Sequence, residues 1–394
     1  MNRMVILDGF RGYFLLFMAV AHYNGLLRTP IGMIHHQYLG WVEDAQGFVF
    51  ISGLVVGLVY GKKYLKAPSV QTIYGPILAR IRTIYSHQVG LVLILLAAAL
   101  LLAPLAVPDL VFYSDAPVTF TLSSLLLIAS SANMGVLPMY IAFMAVVPFA
   151  FRLLHRDQVV PYFAVLGLCW LAAQTSLTGI ALYNFQLYMV SKDIPANFGL
   201  YFNLLAWQVL FFGGLFFGFR MAQRKLDLGF LHAPQVRTTF FIALTAIALL
   251  AAYDIVVEFR LMGDEYFGRM LIRTDRAIFG VFYAAAFGID LFVVVWLLQA
   301  GPDDPLVWVR RVAAAVQWLF TRPFLVLLGQ HSLHVFSFHI LVFYLLATVV
   351  HVFELTPMAR AALLVTGVSS LYLAALCHAW MQSRETTPTA MPVR

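Results

Sequence analysis

VGLVLILLAAALLLAPLAV, residues 89–107, runs from Val89 to Val107 without one charged or polar side chain. A porin-type strand alternates apolar and polar positions, so this stretch excludes a barrel. It is also long enough to cross a hydrocarbon core as a helix. The rest of the chain repeats the pattern. Of 394 residues, 62% are hydrophobic and only 11% charged, against roughly 25% charged in a soluble globular domain. Mean hydropathy is +0.86. The class is an all-α, polytopic integral membrane protein.

A window of about 20 residues gives ten candidate spans, at 10–27, 47–60, 84–107, 134–151, 159–182, 200–219, 238–257, 277–299, 324–350 and 358–380. The run TFTLSSLLLIASS, 119–131, is too short to span and reads as an interfacial or re-entrant piece. With a cytoplasmic N-terminus, the outer segments hold Arg28, Lys192, Arg260, Arg269, Arg273, Arg276 and Arg360. The inner segments hold the other 18 of the 25 Lys and Arg. That bias places both termini inside. The expected organisation is one transmembrane domain over 1–383 and a short cytoplasmic tail over 384–394. The outer 259–276 loop mixes Arg with Asp264, Glu265 and Asp275, which suits a binding rim or simply a solvated loop.

The net charge of +7 does not point to nucleic acid, because the basic residues sit in short loops between spans. Cys169 and Cys377 lie in apolar runs and support neither a disulfide framework nor a metal site. The first apolar run has no small-residue cleavage site after it, so it reads as a span and not as a signal peptide. There is no GxxxxGK[ST] phosphate loop, and no internal repeat of the kind on which many transporters are built.

DGFRGYFLLFMAVAHY, 8–23, places Asp8, Arg11 and His22 in one apolar helix. Eleven residues are close to three full turns, so Arg11 and His22 share a face, roughly 16 Å apart along the axis. That is about half the hydrocarbon thickness. Arg11 falls at the cytoplasmic interface and His22 near the midplane or beyond. Asp8, one turn before Arg11, can pair with it. An intramembrane ionisable group is a functional candidate, although snorkelling accounts equally well for Arg11.

Arg, ten residues, then His in a first span resembles the signature of the membrane acyltransferase-3 superfamily. LDGFRG at 7–12 with AQGFVFISGLVVGLVYG at 45–61 resembles the first two spans of the OpgC family. VLPMYIAFMAVVP at 136–148, FNLLAWQVLFFGG at 202–214 and GQHSLHVFSFHI at 329–340 are similar to its later motifs. The resemblance covers about 7–350. It implies an acyltransferase-3-like bundle that attaches succinyl groups to osmoregulated periplasmic glucans in the bacterial inner membrane. The implied donor substrate is succinyl-CoA from the cytoplasm, with no tightly bound cofactor. Gln46 and Gly135 stand where the family has acids; Asp44, two positions before Gln46, is the acid that can take the first one's place.

The residues suit acyl transfer. A sugar hydroxyl needs a base at the moment it attacks a thioester, and imidazole is the side chain suited to that role. His22 is therefore the expected general base, with His339 and Asp44 beside the chemistry. His339 is the match to the superfamily's late His. Donor phosphates would meet a basic inner mouth holding Arg11, Arg80 and Arg82, with Lys62, Lys63 and Lys66 nearby. Tyr85 and His87 form a polar cap at the inner start of the third span. His331 and His334 share a helix face with no carboxylate or Cys between 324 and 350, so no metal is expected. Trp207 and Gln208 can stack on and bond a sugar, and an interfacial belt explains Trp207 as well. Asp254, Glu258 and Asp290 are the acids of the late spans; the first two are assigned to the acceptor. The other class open to the sequence is a transporter or flippase with a buried His/acid proton relay. The acyl group, the acceptor and the oligomeric state are not set by these residues.

Overall fold

The computed structural model describes residues 3–36, 42–175, 177–192, 199–266 and 276–385. Within them the side chains of Arg3, Met33, Leu177, Thr178, Leu182, Glu258 and Glu385 are not described. The fold is all-α. In chain order the helices are α1 Arg3–Leu27, α2 Asp44–Lys66, α3 Val70–Leu101, α4 Val111–Asp115, α5 Pro117–Leu125, α6 Val136–His155, α7 Val159–Gln174, α8 Leu177–Val190, α9 Leu204–Ala222, α10 Pro234–Glu258, α11 Val281–Gln299, α12 Val307–Leu319, α13 Pro323–Gln330, α14 Ser332–Val352 and α15 Pro357–Glu385. Among the described residues nine helices are long and apolar enough to cross a membrane. The count reaches eleven if α7 with α8, and α12 with α13, are each one span.

The chain forms two compact units. The first joins its two ends, Met1–His35 and Gln317–Arg394, and the second is His36–Val316. In the first, α1 packs on α13, α14 and α15. Glycines set the closest contact. A Cβ at Gly9 would lie 1.7 Å from the Phe320 carbonyl oxygen, one at Gly12 1.9 Å from that of Leu325, and one at Gly329 1.8 Å from that of Asp8. No side chain fits there. Lipid gives helices no hydrophobic reason to associate, so such small-residue approaches are what bring them together.

In the second unit α2 and α9 run parallel by the same device. A Cβ at Gly53, Gly57, Gly214 or Gly218 would lie 1.9–2.2 Å from the carbonyl oxygens of Phe211, Leu215, Phe50 and Leu54 respectively. Local signals start both helices. The Glu43 side chain and Gln46 form a capping box on α2, and Asn203 accepts from Leu205 and Ala206 N–H on α9 at 3.0 and 3.3 Å. Gln46, which departs from the family's acid, is thus a helix-start residue.

Three expected spans differ. The third begins at Val70, not near 84, because Ser69 caps it by accepting from Gln71 N–H at 3.2 Å; polar Gln71, Thr72 and Tyr74 hid those turns from a hydropathy window. The run expected at 324–350 is broken at His331 into α13 and α14, and the run at 159–182 is divided between α7 and α8. The short 119–131 piece holds α5. Its end is tied to the middle of α3, where the Tyr85 hydroxyl donates to Leu125 O at 3.1 Å and the Gln88 amide donates to Ser124 O at 3.4 Å.

Candidate functional site

In the first unit α1 and α14 run side by side and give each of the sequence's two polar points its partners. At the lower end Arg11 donates to the Ser332 hydroxyl and lies 3.7 Å from Asp8 Oδ1, while Asp8 hydrogen-bonds Gln330. Gln330 and Ser332 flank the break at His331, so the helix interruption is where the charged pair of α1 docks. Two turns along α14, His22 Nδ1 lies 3.0 Å from His339 Nε2. The Tyr23 hydroxyl donates to the His339 carbonyl at 3.2 Å.

The tautomers follow from what each neighbour can do. His339 Nδ1 is 2.7 Å from the Phe336 carbonyl oxygen. A carbonyl only accepts, so Nδ1 of His339 carries the hydrogen. Its Nε2 is then the acceptor, and His22 Nδ1 must donate to it. This leaves Nε2 of His22 as the nitrogen with the lone pair. His339 is fully buried and His22 is half-buried, so the orienting ring is enclosed and the basic one retains an open side.

A second imidazole cluster in this unit joins α14 to α15. His331 Nδ1 is 2.7 Å from His378 Nδ1, and the His334 ring stacks on His378 at 3.3 Å between centroids. His378 was not singled out by sequence reasoning; its distance along the chain from His331 concealed it.

The remaining expected residues belong to the second unit. Asp44 is buried at the start of α2, 3.5 Å from His36 Nε2. Arg80, Arg82, Tyr85 and His87 lie within their helix and not at its start. With α3 beginning at Val70, Arg80 stands roughly 15 Å and His87 roughly 25 Å along it. Arg80 is half-buried and an electrostatic neighbour of Tyr60, Arg82 is exposed, and the Tyr85 hydroxyl is engaged by Leu125 O.

Trp207 and Gln208, expected at the acceptor, are buried. Trp207 is 0% exposed, and its indole N–H donates to Arg276 O at 3.2 Å and Ala277 O at 3.1 Å. The Gln208 amide donates to Leu166 O at 2.8 Å and Leu205 O at 3.2 Å. Neither presents a face to a sugar. A donor in an apolar span must find an acceptor, and these found backbone carbonyls. Asp254 is half-buried and an electrostatic neighbour of Tyr283. The Glu258 side chain lies outside the described residues. Asp290 is half-buried within α11.

The loop expected as a binding rim contributes a residue that sequence reasoning did not select. Arg276, just before α11, directs Nε to Glu43 Oε1 at 2.8 Å and to the Tyr283 hydroxyl at 3.1 Å. Side-chain donors on apolar helices, Trp170 with Gln174 and Trp207, were the available signal: each needs an acceptor, and the segment after the loop supplies them.

The bundle thus places an oriented imidazole and an anchored arginine on one helix. The family model described as OpgC protein matches residues 3–383. The chain belongs to that family, and membership points to a glucan-modifying acyltransferase. No curated protein and no solved structure matches the chain.

Proposed function

We propose that this protein is an O-acyltransferase of the bacterial inner membrane, with both termini cytoplasmic. It moves an acyl group, succinyl in this reading, from cytoplasmic acyl-CoA to hydroxyls of a periplasmic glucan. The observation that carries the reading is the chain from the Phe336 carbonyl through His339 to His22, which leaves Nε2 of His22 unprotonated and aimed away from its partner.

A glucan hydroxyl approaches the thioester carbonyl carbon, and Nε2 of His22 takes its proton as the C–O bond forms. The tetrahedral intermediate then expels the thiolate of coenzyme A as the C–S bond breaks. The imidazolium of His22 returns the proton to that sulfur, so the histidine ends as it began. His339 holds the ring of His22 in the one tautomer and supports its positive charge. Arg11, steadied by Ser332 and Asp8, offers its guanidinium to a donor phosphate. No step calls for a metal.

The test is transfer by purified protein in detergent, read as ester-linked mass on a glucan oligosaccharide with succinyl-CoA as donor. His22→Ala should fold normally and lose at least about a hundredfold in rate, the usual contribution of a general base. Wild-type rate in that variant defeats the mechanism. A wild-type protein with no gradient-independent turnover defeats the enzyme reading in favour of a transporter or flippase.

A further inference from the structure

The segment Arg276–Phe279 of the second unit is held with unusual completeness. Trp207 donates to the carbonyls of Arg276 and Ala277, and Asn203 N–H donates to Ala277 O at 2.9 Å. The Gln174 amide donates to Ile278 O and the Trp170 indole to Phe279 O, each at 2.9 Å. Phe279 is kept in the left-handed region at φ 44°, with its ring buried, a conformation a bulky residue adopts only when its surroundings impose it. Two tryptophans, a glutamine and a backbone amide thus fix one short strap. What they fix is the position of Arg276.

Its guanidinium is anchored on one edge only. Nε faces Glu43 and Tyr283, whereas among the described residues Nη1 and Nη2 make no hydrogen bond, and the side chain is 52% exposed. Tyr201, an electrostatic neighbour of Arg276, is 59% exposed. Asp254 and Glu43 bring negative charge close to Tyr283. The site therefore has a planar pair of donors, carboxylate acceptors, a phenol and an open aromatic face.

We propose that this cluster of Arg276, Glu43, Tyr201, Tyr283 and Asp254 binds neutral carbohydrate. Adjacent ring hydroxyls match the spacing of the paired Nη donors, the carboxylates accept further hydroxyls, and Tyr201 takes an apolar sugar face. A free anion is disfavoured because Glu43 and Asp254 repel it. That the carbohydrate is the glucan acceptor rests on the function proposed above.

The experiment is titration of the full-length protein in detergent with a linear glucose oligosaccharide, followed by calorimetry. Wild type should bind. Arg276→Gln and Arg276→Lys should each weaken binding about tenfold or more, the lysine because it keeps the charge and loses the fork. Tyr201→Ala, at an exposed ring, should weaken it severalfold with an unchanged melting temperature, which guards against misfolding of the arginine variants. Wild-type affinity in Tyr201→Ala together with a folded Arg276 variant overturns the proposal. So does a wild type that binds no oligosaccharide, or one that binds succinate or inorganic phosphate through Arg276 and no sugar. Acyl transfer is measured in parallel. Sugar binding that depends on Arg276 without any transfer supports the site and overturns the enzymatic reading instead.

Discussion

Two helix crossings in this molecule bring backbone against backbone, and they differ in the polar groups beside them. In the second unit Gly53 and Gly57 of α2 meet Gly214 and Gly218 of α9 around the carbonyls of apolar residues. In the first unit Gly9 and Gly12 of α1 meet the α13 region, with Gly329 against Asp8 O. Here the close approach lies beside Asp8 and Arg11 and lets them reach Gln330 and Ser332. The same glycine device is a plain joint in one place and the seat of an ionic cluster in the other. Close packing therefore identifies where helices are locked; the polar groups beside the lock decide what else the joint can hold.

The largest effect should come from filling the plain joint. Gly57→Leu or Gly214→Leu places a side chain where a carbonyl oxygen already lies, and should cost several kcal/mol, more than ordinary overpacking. The readout is loss of monodisperse protein or a large drop in melting temperature, and an unchanged melt breaks the comparison. Next comes His22→Ala, which should remove about a hundredfold of transfer while leaving the melt within a few degrees. Arg11→Lys should follow, raising KM for acyl-CoA about tenfold with less change in kcat, because a lysine ammonium lacks the planar fork that presents separate nitrogens to Ser332 and to a phosphate. Equal KM values would remove Arg11 from the donor site.

The smallest effect contrasts two Arg–Asp pairs. Arg11 is only loosely paired with Asp8, at 3.7 Å. Arg237 grips Asp304 in the second unit at 2.6 and 3.3 Å, and Leu306 N–H adds a third bond at 2.8 Å. The Arg237 hydrogen bond holds the Asp304 carboxyl below its ordinary range. A depressed acid contributes stability above the unfolded value of about 3.9 and loses it as pH falls through the folded value. Asp304→Asn should lower stability by about 1 kcal/mol at pH 7 and flatten the fall in melting temperature below about pH 4. An acid limb as steep as wild type would show that the pair contributes nothing.

Much of this was legible in residues that lie on one helix. The spacing of Arg11 and His22 was read by counting turns, and the apolar runs gave the fold class. His339 came through family resemblance, because no local count joins it to His22 across the chain. Trp207 and Gln208 misled because a donor that binds sugar and a donor that satisfies a carbonyl are the same chemical group; only burial separates them. The early start of α3 was hidden because a serine cap begins it on polar turns. Arg276 stayed hidden because its position depends on four donors from two distant helices.

The Phe336 carbonyl has a consequence for proton relay. It ends the histidine pair, since an amide oxygen can hold a hydrogen bond but cannot carry a proton onward. A proton received by His22 has no second exit through His339 and must return by the side from which it came. In the proposed reaction it leaves on the sulfur of the donor. Catalysis would then shift no proton through the His22–His339 pair, unlike a protein whose buried histidines form a through-going wire.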